Sequence, residues 1–247
     1  GAKVLATSET EDSTKQTDTE TTKLTKTQEE SLKKIKATYD VKNQEKTAEE
    51  LEEKKSSQEY TLSNMLIEYN PFGTNTQSLY VYFNTDEPVS VAYTVHAEDP
   101  KIQDFNRTVY QEEAYQKEHE FQVIGLIPDM ENKVTFFLTK EDGSTDTKEI
   151  VFEMGSLMGT EDVQLDTDVE GDASQLEDGL YVVLGNDSTA LDFMYYYDNN
   201  GTLRGEVPLL GYRSHRLIFD KDSMYYSISE TKMAQVSRTG QVTNCLL

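Results

Sequence analysis

Residues 119–138 constrain the fold more than any other stretch of this chain. Phe121, Val123 and the apolar run 124–127 read as a buried strand, interrupted by Gly125. Pro128-Asp129 then turns the chain, because proline fixes φ and an aspartate can bond its own backbone. Beyond the turn, Val134, Phe136 and Leu138 alternate with Lys133, Thr135 and Phe137, the period-two signature of a half-buried strand.

The surrounding sequence repeats that pattern. Strands are expected at 62–69, 79–83, 89–96, 121–126, 133–139 and 148–153. The turn signals between them are Asn70-Pro71, Glu87-Pro88, Asp99-Pro100, Pro128-Asp129 and Asp142-Gly143-Ser144. Short alternating strands at this spacing predict a β-sandwich over residues 60–155. The chain has no Trp and one Cys, Cys245, so an antibody-type Cys–Trp–Cys core and an internal disulfide framework are excluded.

On either side the composition changes. Residues 1–59 hold one aromatic, Tyr39, and are dominated by Thr, Ser, Lys and Glu. Such a segment buries too little apolar surface to offset chain entropy, and predicts a disordered or partly helical tether. A helix over about 27–53 is expected from the capping-box pattern Thr27-Gln-Glu-Glu30 and from Leu32, Ile35 and Tyr39 on one face; it is either transient or packed on a partner or on the missing part of a larger protein. Residues 156–179 form an acidic linker, with eight carboxylates between Glu161 and Asp178 and no Lys or Arg between Lys148 and Arg204. Residues 180–247 return to β structure. Strands at 181–184, 191–197 and 203–208 include a hairpin turn at Asp198-Asn-Asn-Gly201. Four more follow at 215–219, 224–228, 233–236 and 242–246, and four consecutive antiparallel strands are what one propeller blade requires.

Formal net charge is −23, which argues against a nucleic-acid partner and against docking on anionic lipid. No stretch approaches the roughly 18 apolar residues of a membrane span.

The pairing of Asn70-Pro71-x-Gly73 with Gly125-Leu126-x-Pro128-Asp129-x-x-Asn132, the latter preceded by His119, resembles the immunoglobulin-like N-terminal domain of bacterial arylsulfate sulfotransferases. Tyr197-Asp198…Gly201…Arg204 and Gly211-Tyr212…His215 are similar to the residues that open that family's β-propeller. The fold class expected is therefore all-β: an immunoglobulin-like sandwich followed by about one propeller blade. One or two blades cannot close a ring, so the chain is expected to be a fragment of a larger protein. The resemblance implies an enzyme that moves a sulfuryl group from a phenolic sulfate donor to a phenol acceptor through a histidine intermediate. It implies no cofactor, an extracytoplasmic location and a possible homodimer, with the tether resembling the stalk of surface lipoproteins. This chain alone is expected to be inactive. The alternative is a non-catalytic surface module that binds protein or glycan.

Three constellations bear on chemistry. Neutral imidazole is nucleophilic, and guanidinium matches sulfate oxygens, so the resemblance marks His215 as a catalytic candidate with Arg213 beside it on the same strand face. A structural or turn histidine is the other reading of His215, and a structural one is the reading of His119. Asp166, Asp168, Glu170 and Glu177 follow the spacing of a calcium loop, with Gly171 at its sixth position; a solvated acidic linker is the other reading, since position five is Glu and no helices flank it. The tyrosine clusters 195–197 and 225–226 either stack on an aryl substrate or fill a core.

Overall fold

The computed structural model describes residues 23–110, 114–166, 171–172, 176–177, 179–185, 190–211 and 214–247. Two helices come first, α1 (Lys26–Thr38) and α2 (Val41–Ser57). The single helix expected from sequence is split because Asp40 caps a new one: its Oδ1 accepts the Lys42 amide at 2.9 Å. The capping box also lies two residues earlier than expected, between Thr25 and Gln28.

Six strands form the sandwich: β1 (Leu66–Tyr69), β2 (Ser78–Ala97), β3 (Phe105–Thr108), β4 (Gln116–Ile124), β5 (Met130–Lys140) and β6 (Thr145–Met154). Two strands expected on either side of Glu87-Pro88 are one bent strand of 20 residues, β2. Its first half pairs with β1 and β4, its second with β3 and β5, and β6 extends the second layer. The β2–β4 register shifts between Asn84 and Val89, where Pro88 has no N–H to offer. A strand that bends this way can serve both layers of a sandwich. Leu79, Val81, Phe83, Phe121 and Val123 of one layer meet Val91, Val95, Val134, Phe136 and Leu138 of the other, all buried.

A second module follows. β7 (Tyr181–Val183), β8 (Asp192–Tyr197) and β9 (Leu203–Leu209) form a three-stranded sheet, and β10 (Leu217–Asp220), β11 (Ser223–Ser227), β12 (Met233–Ser237) and β13 (Val242–Leu246) an antiparallel meander. The two sheets share one core that includes Phe193, Tyr195, Val207, Tyr226 and Val236.

The helices are where the structure departs most from the expected solvated tether. Ile35 is fully buried and Tyr39 nearly so within the second module's core. The Tyr39 hydroxyl donates to the Pro208 carbonyl and lies 2.8 Å from that of Tyr226. Leu51 of α2 instead packs with Leu66, Phe72, Tyr80 and Tyr82 on the outer face of the sandwich. That contact is why β2 is buried on both faces along its first half. Between the helices' two attachments sits Gln44, itself buried. Its Nε2 donates to the Thr38 and Phe72 carbonyls at 2.7 and 2.9 Å, and its Oε1 accepts the Val242 amide at 2.9 Å. Charge and length hid this from a reading of periodicity: the apolar contacts are few and widely spaced, but each lands in a pocket formed by distant strands. Residues 1–22 lie outside the described residues.

Gln44→Ala is expected to lower unfolding free energy by ~2–4 kcal/mol, since it leaves buried partners unpaired. Glu49→Ala on the exposed face of α2 should stay within ~0.5 kcal/mol of the parent. Urea denaturation of both variants checks the contrast.

Candidate functional site

The hairpin between β8 and β9 carries the most demanding polar chemistry in the molecule. Asp198 shapes the turn: its Oδ1 accepts the amides of Asn200 at 2.9 Å and Thr202 at 3.1 Å. Gly201 completes it with φ +69°, a conformation that glycine adopts without strain. All seven residues of β9 are buried. Its apolar side, Leu203, Val207 and Leu209, joins the second module's core, while alternation turns Arg204 and Glu206 the other way, toward the sandwich.

Arg204 is fully buried. Its Nε donates to Asp198 Oδ2 at 2.7 Å, Nη1 to the Gly125 carbonyl at 3.0 Å and Nη2 to the Gln103 carbonyl at 2.6 Å. The guanidinium also lies 4.8 Å from the centre of the Phe105 ring, a cation–π distance. Burial pulls its pKa down and the Asp198 carboxylate opposes that. Gly125 is required here: φ is +92°, and a Cβ would meet the Phe105 ring at 2.5 Å.

Glu206 Oε1 accepts the Thr76 hydroxyl at 2.7 Å and the Met158 amide at 2.9 Å, and Oε2 accepts the Gly159 amide at 2.9 Å. Burial raises its pKa, while these three donors act to lower it. Gln77 adds Nε2 bonds to the Leu126 carbonyl at 2.8 Å and the Leu203 carbonyl at 3.0 Å. Arg204 Nη1 and Nη2, the Thr76 hydroxyl and Gln77 Nε2 all donate across the boundary between the modules, so the role of this cluster is architectural. Neither Glu206 nor Gln77 stood out in the sequence. The signal available was an opposite-charged pair two residues apart inside an otherwise apolar strand.

The remaining sequence candidates fall elsewhere. His215 is exposed, in the residues just before β10. The strand expected at 215–219 begins only at Leu217, so strand alternation does not govern where the His215 side chain points. Arg213 lies outside the described residues, as do Asp168 and Glu170 of the calcium-loop pattern. Asp166 and Glu177 are exposed, and among the described residues no group of His, Cys, Asp or Glu is arranged to hold a metal ion. Tyr195, Tyr197 and Tyr226 are buried in the second module's core and fill space there, Tyr196 packs in the same core and also lines a cleft against the sandwich, and Tyr225 is half-buried.

His119 is fully buried in the sandwich. Its ring stacks on Phe83 with centroids 4.7 Å apart. Nδ1 lies 2.6 Å from the Tyr110 hydroxyl and Nε2 3.2 Å from that of Thr85. Burial lowers its pKa to about 4. Asn132 secures the neighbouring turn: its Oδ1 accepts the Ile127 amide at 2.8 Å and its Nδ2 donates to the Ile127 carbonyl at 2.9 Å. This lets Asp129 hold φ +59°.

The architecture defines a class: an immunoglobulin-like sandwich bolted to a second antiparallel β module through buried charge. Two family models match the chain in that order, the arylsulfotransferase Ig-like domain over residues 66–155 and arylsulfotransferase (ASST) over residues 166–245. The chain belongs to the arylsulfotransferase family, one of sulfuryl transfer with phenolic substrates. No curated protein matches it. No helix among the described residues is long and apolar enough to cross a membrane.

Arg204→Met leaves Asp198 buried without its countercharge and is expected to cost ~3–5 kcal/mol, measurable by chemical denaturation. For His119 the folded-state pKa is depressed from 6.5 to about 4. The stability it contributes is therefore present above its unfolded value and lost as pH falls through its folded one. The gap between parent and His119→Gln is expected to narrow by ~2 kcal/mol between pH 7 and pH 4.5. Denaturation curves at the two pH values test this; a constant gap would show that the folded protein tolerates the charged ring.

Proposed function

We propose that this chain is the N-terminal part of an arylsulfate sulfotransferase, in which the sandwich carries the first blade of a β-propeller. The observation that carries this reading is the match of the arylsulfotransferase model over residues 166–245, across the hairpin, His215 and all but the last residue of the β10–β13 meander. Four consecutive antiparallel strands are the unit from which propellers are built, which supports assigning the meander as a blade.

In the reaction proposed, a neutral imidazole nitrogen of His215 attacks the sulfur of a phenolic sulfate. The S–O bond to the ring oxygen breaks, and the donor leaves as a phenol once protonated. The acceptor's phenolic oxygen, losing its proton, then attacks the same sulfur and the N–S bond breaks, restoring the imidazole. Two features of the chemistry support the assignment. An exposed histidine can be reached by a bulky aryl ester, and nucleophilic relay splits one hard displacement into two easier ones. Arg213, two residues earlier, is proposed to hold the sulfuryl oxygens. A propeller site is assembled from several blades, and the described residues supply one meander, so the chain by itself is proposed to be inactive. An extracytoplasmic placement is part of the same proposal, supported by the Thr- and Ser-rich composition of the first 22 residues.

Release of 4-nitrophenol from 4-nitrophenyl sulfate, with phenol as acceptor, tests the proposal on this chain and on the full-length product of its gene. Turnover is expected in the full-length protein only, abolished by His215→Ala. Turnover in neither would favour a non-catalytic surface module, and turnover unaffected by His215→Ala would remove that residue from the mechanism.

A further inference from the structure

A cleft of about 540 Å³ opens between the sandwich and the second module, within the size range of small-molecule sites. Both modules build its apolar wall: Tyr93 and Ile124 from the sandwich, Val182 from β7, Tyr196 from β8 and Met224 from β11. The cleft is held in shape by hydrogen bonds at its margin. Gln122 Nε2 donates to the Arg238 carbonyl at 2.9 Å, and the Thr74 hydroxyl to the Gly240 carbonyl at 2.7 Å. These pin the β12–β13 turn to the sandwich.

The wall's own polar atoms are already engaged. The Tyr93 hydroxyl accepts the Ile124 amide at 3.0 Å, and the Tyr196 hydroxyl donates to Met224 Sδ at 3.4 Å. A ligand would meet aromatic faces and methyl groups there. The carboxylates at the rim are occupied too. Glu120 pairs with Lys55 at 2.8 Å and Asp222 with Arg238 at 3.4 Å, and Asp220 takes the Lys221 amide at 2.7 Å.

Arg107 is the exception. It stands half-buried on β3 as part of the cleft lining, with its guanidinium 5.8 Å from the Phe105 ring centre. Among the described residues it makes no ion pair and donates no side-chain hydrogen bond. Its charge reaches the Tyr93 hydroxyl, whose pKa burial raises to about 12 against the opposing pull of the Ile124 amide bond and then of Arg107. A partly desolvated guanidinium with no ion-pair partner among the described residues, at the edge of an aromatic-walled cleft, is complementary to a planar anion that brings its own oxygens.

We propose that the interdomain cleft binds a small aromatic anion, its ring against the Tyr93–Tyr196–Met224 wall and its sulfate, sulfonate or carboxylate group on Arg107. The site goes beyond sulfuryl transfer at His215, which does not line the cleft. It couples both modules, since a bound ring would touch residues from each.

Isothermal titration of this chain with 4-nitrobenzenesulfonate tests the proposal. The sulfur of that probe is bonded to ring carbon, so it cannot be transferred, and failure of the reaction at His215 would not affect the result. Saturable one-to-one binding is expected, with methyl signals of Ile124, Val182 and Met224 shifting in the NMR spectrum. Arg107→Met should weaken the anion at least about tenfold, and Arg107→Lys should restore part of the loss. The neutral 4-nitrobenzenesulfonamide should be nearly indifferent to both. Val182→Trp, which fills the cleft, should abolish binding of either compound. No saturation at millimolar concentrations, equal affinity for the anion in the parent and Arg107→Met, or shifts confined to other methyl groups would each overturn the assignment.

Discussion

The structure depends on a guanidinium that has left water. Arg204 sits at zero exposure between two β modules, and an ion in that position is tolerated only if its charge and its N–H groups are all answered. Asp198 supplies the countercharge from within the same hairpin, and the Gly125 and Gln103 carbonyls supply acceptors from the sandwich. The consequence is geometric. Each N–H bond fixes one direction, so the hairpin has one seating on the sandwich. Apolar contact alone would permit the two modules to slide. Glu206, two residues on, repeats the logic with opposite sign, drawing the Thr76 hydroxyl and the start of the acidic segment onto the same strand.

The helices reinforce that seating from the opposite direction. They lie ahead of residue 66, where the first family match begins, yet α1 is sealed into one module's core and α2 onto the other's outer face. Gln44 bonds to the Phe72 carbonyl on one side and the Val242 amide on the other. A two-helix brace and a buried ion pair are independent ties, and together they make the module interface a fixed surface. That rigidity is what gives the cleft beside Arg107 a defined shape.

Residues that carry the family pattern and residues available for chemistry are largely different sets. Gly125, Asn132, Asp198, Gly201 and Arg204 all serve turns or the interface, where their hydrogen-bonding capacity is spent. Of the tyrosines of β8 and β11 that could have faced a phenol, Tyr195, Tyr197 and Tyr226 are sealed in the core, while Tyr196 also lines the cleft. Among the described residues, His215 at the entry to the meander is exposed and Arg107 at the cleft is half-buried. A motif can therefore mark a family through its architecture while its reactive groups lie elsewhere on the same scaffold.

Much of the fold was legible in the chain because it rests on local rules. Period-two alternation placed most strands to within a few residues, Pro128-Asp129 and Asp198–Gly201 named their turns, and the missing Trp and solitary Cys excluded whole fold types. β3 escaped because Phe105-Asn-Arg-Thr108 is too short and polar to alternate. The bend in β2 read as a break because proline interrupts the pattern without ending the strand. What only the tertiary structure decided is how opposites were matched across distance: which carbonyls answer Arg204, which strands receive Ile35 and Leu51, and why the tyrosines point inward. Those outcomes depend on burial and on partners scores of residues away. Alternation and composition carry no information about such pairings, because buried charge is tolerated or forbidden only by what the rest of the chain brings to meet it.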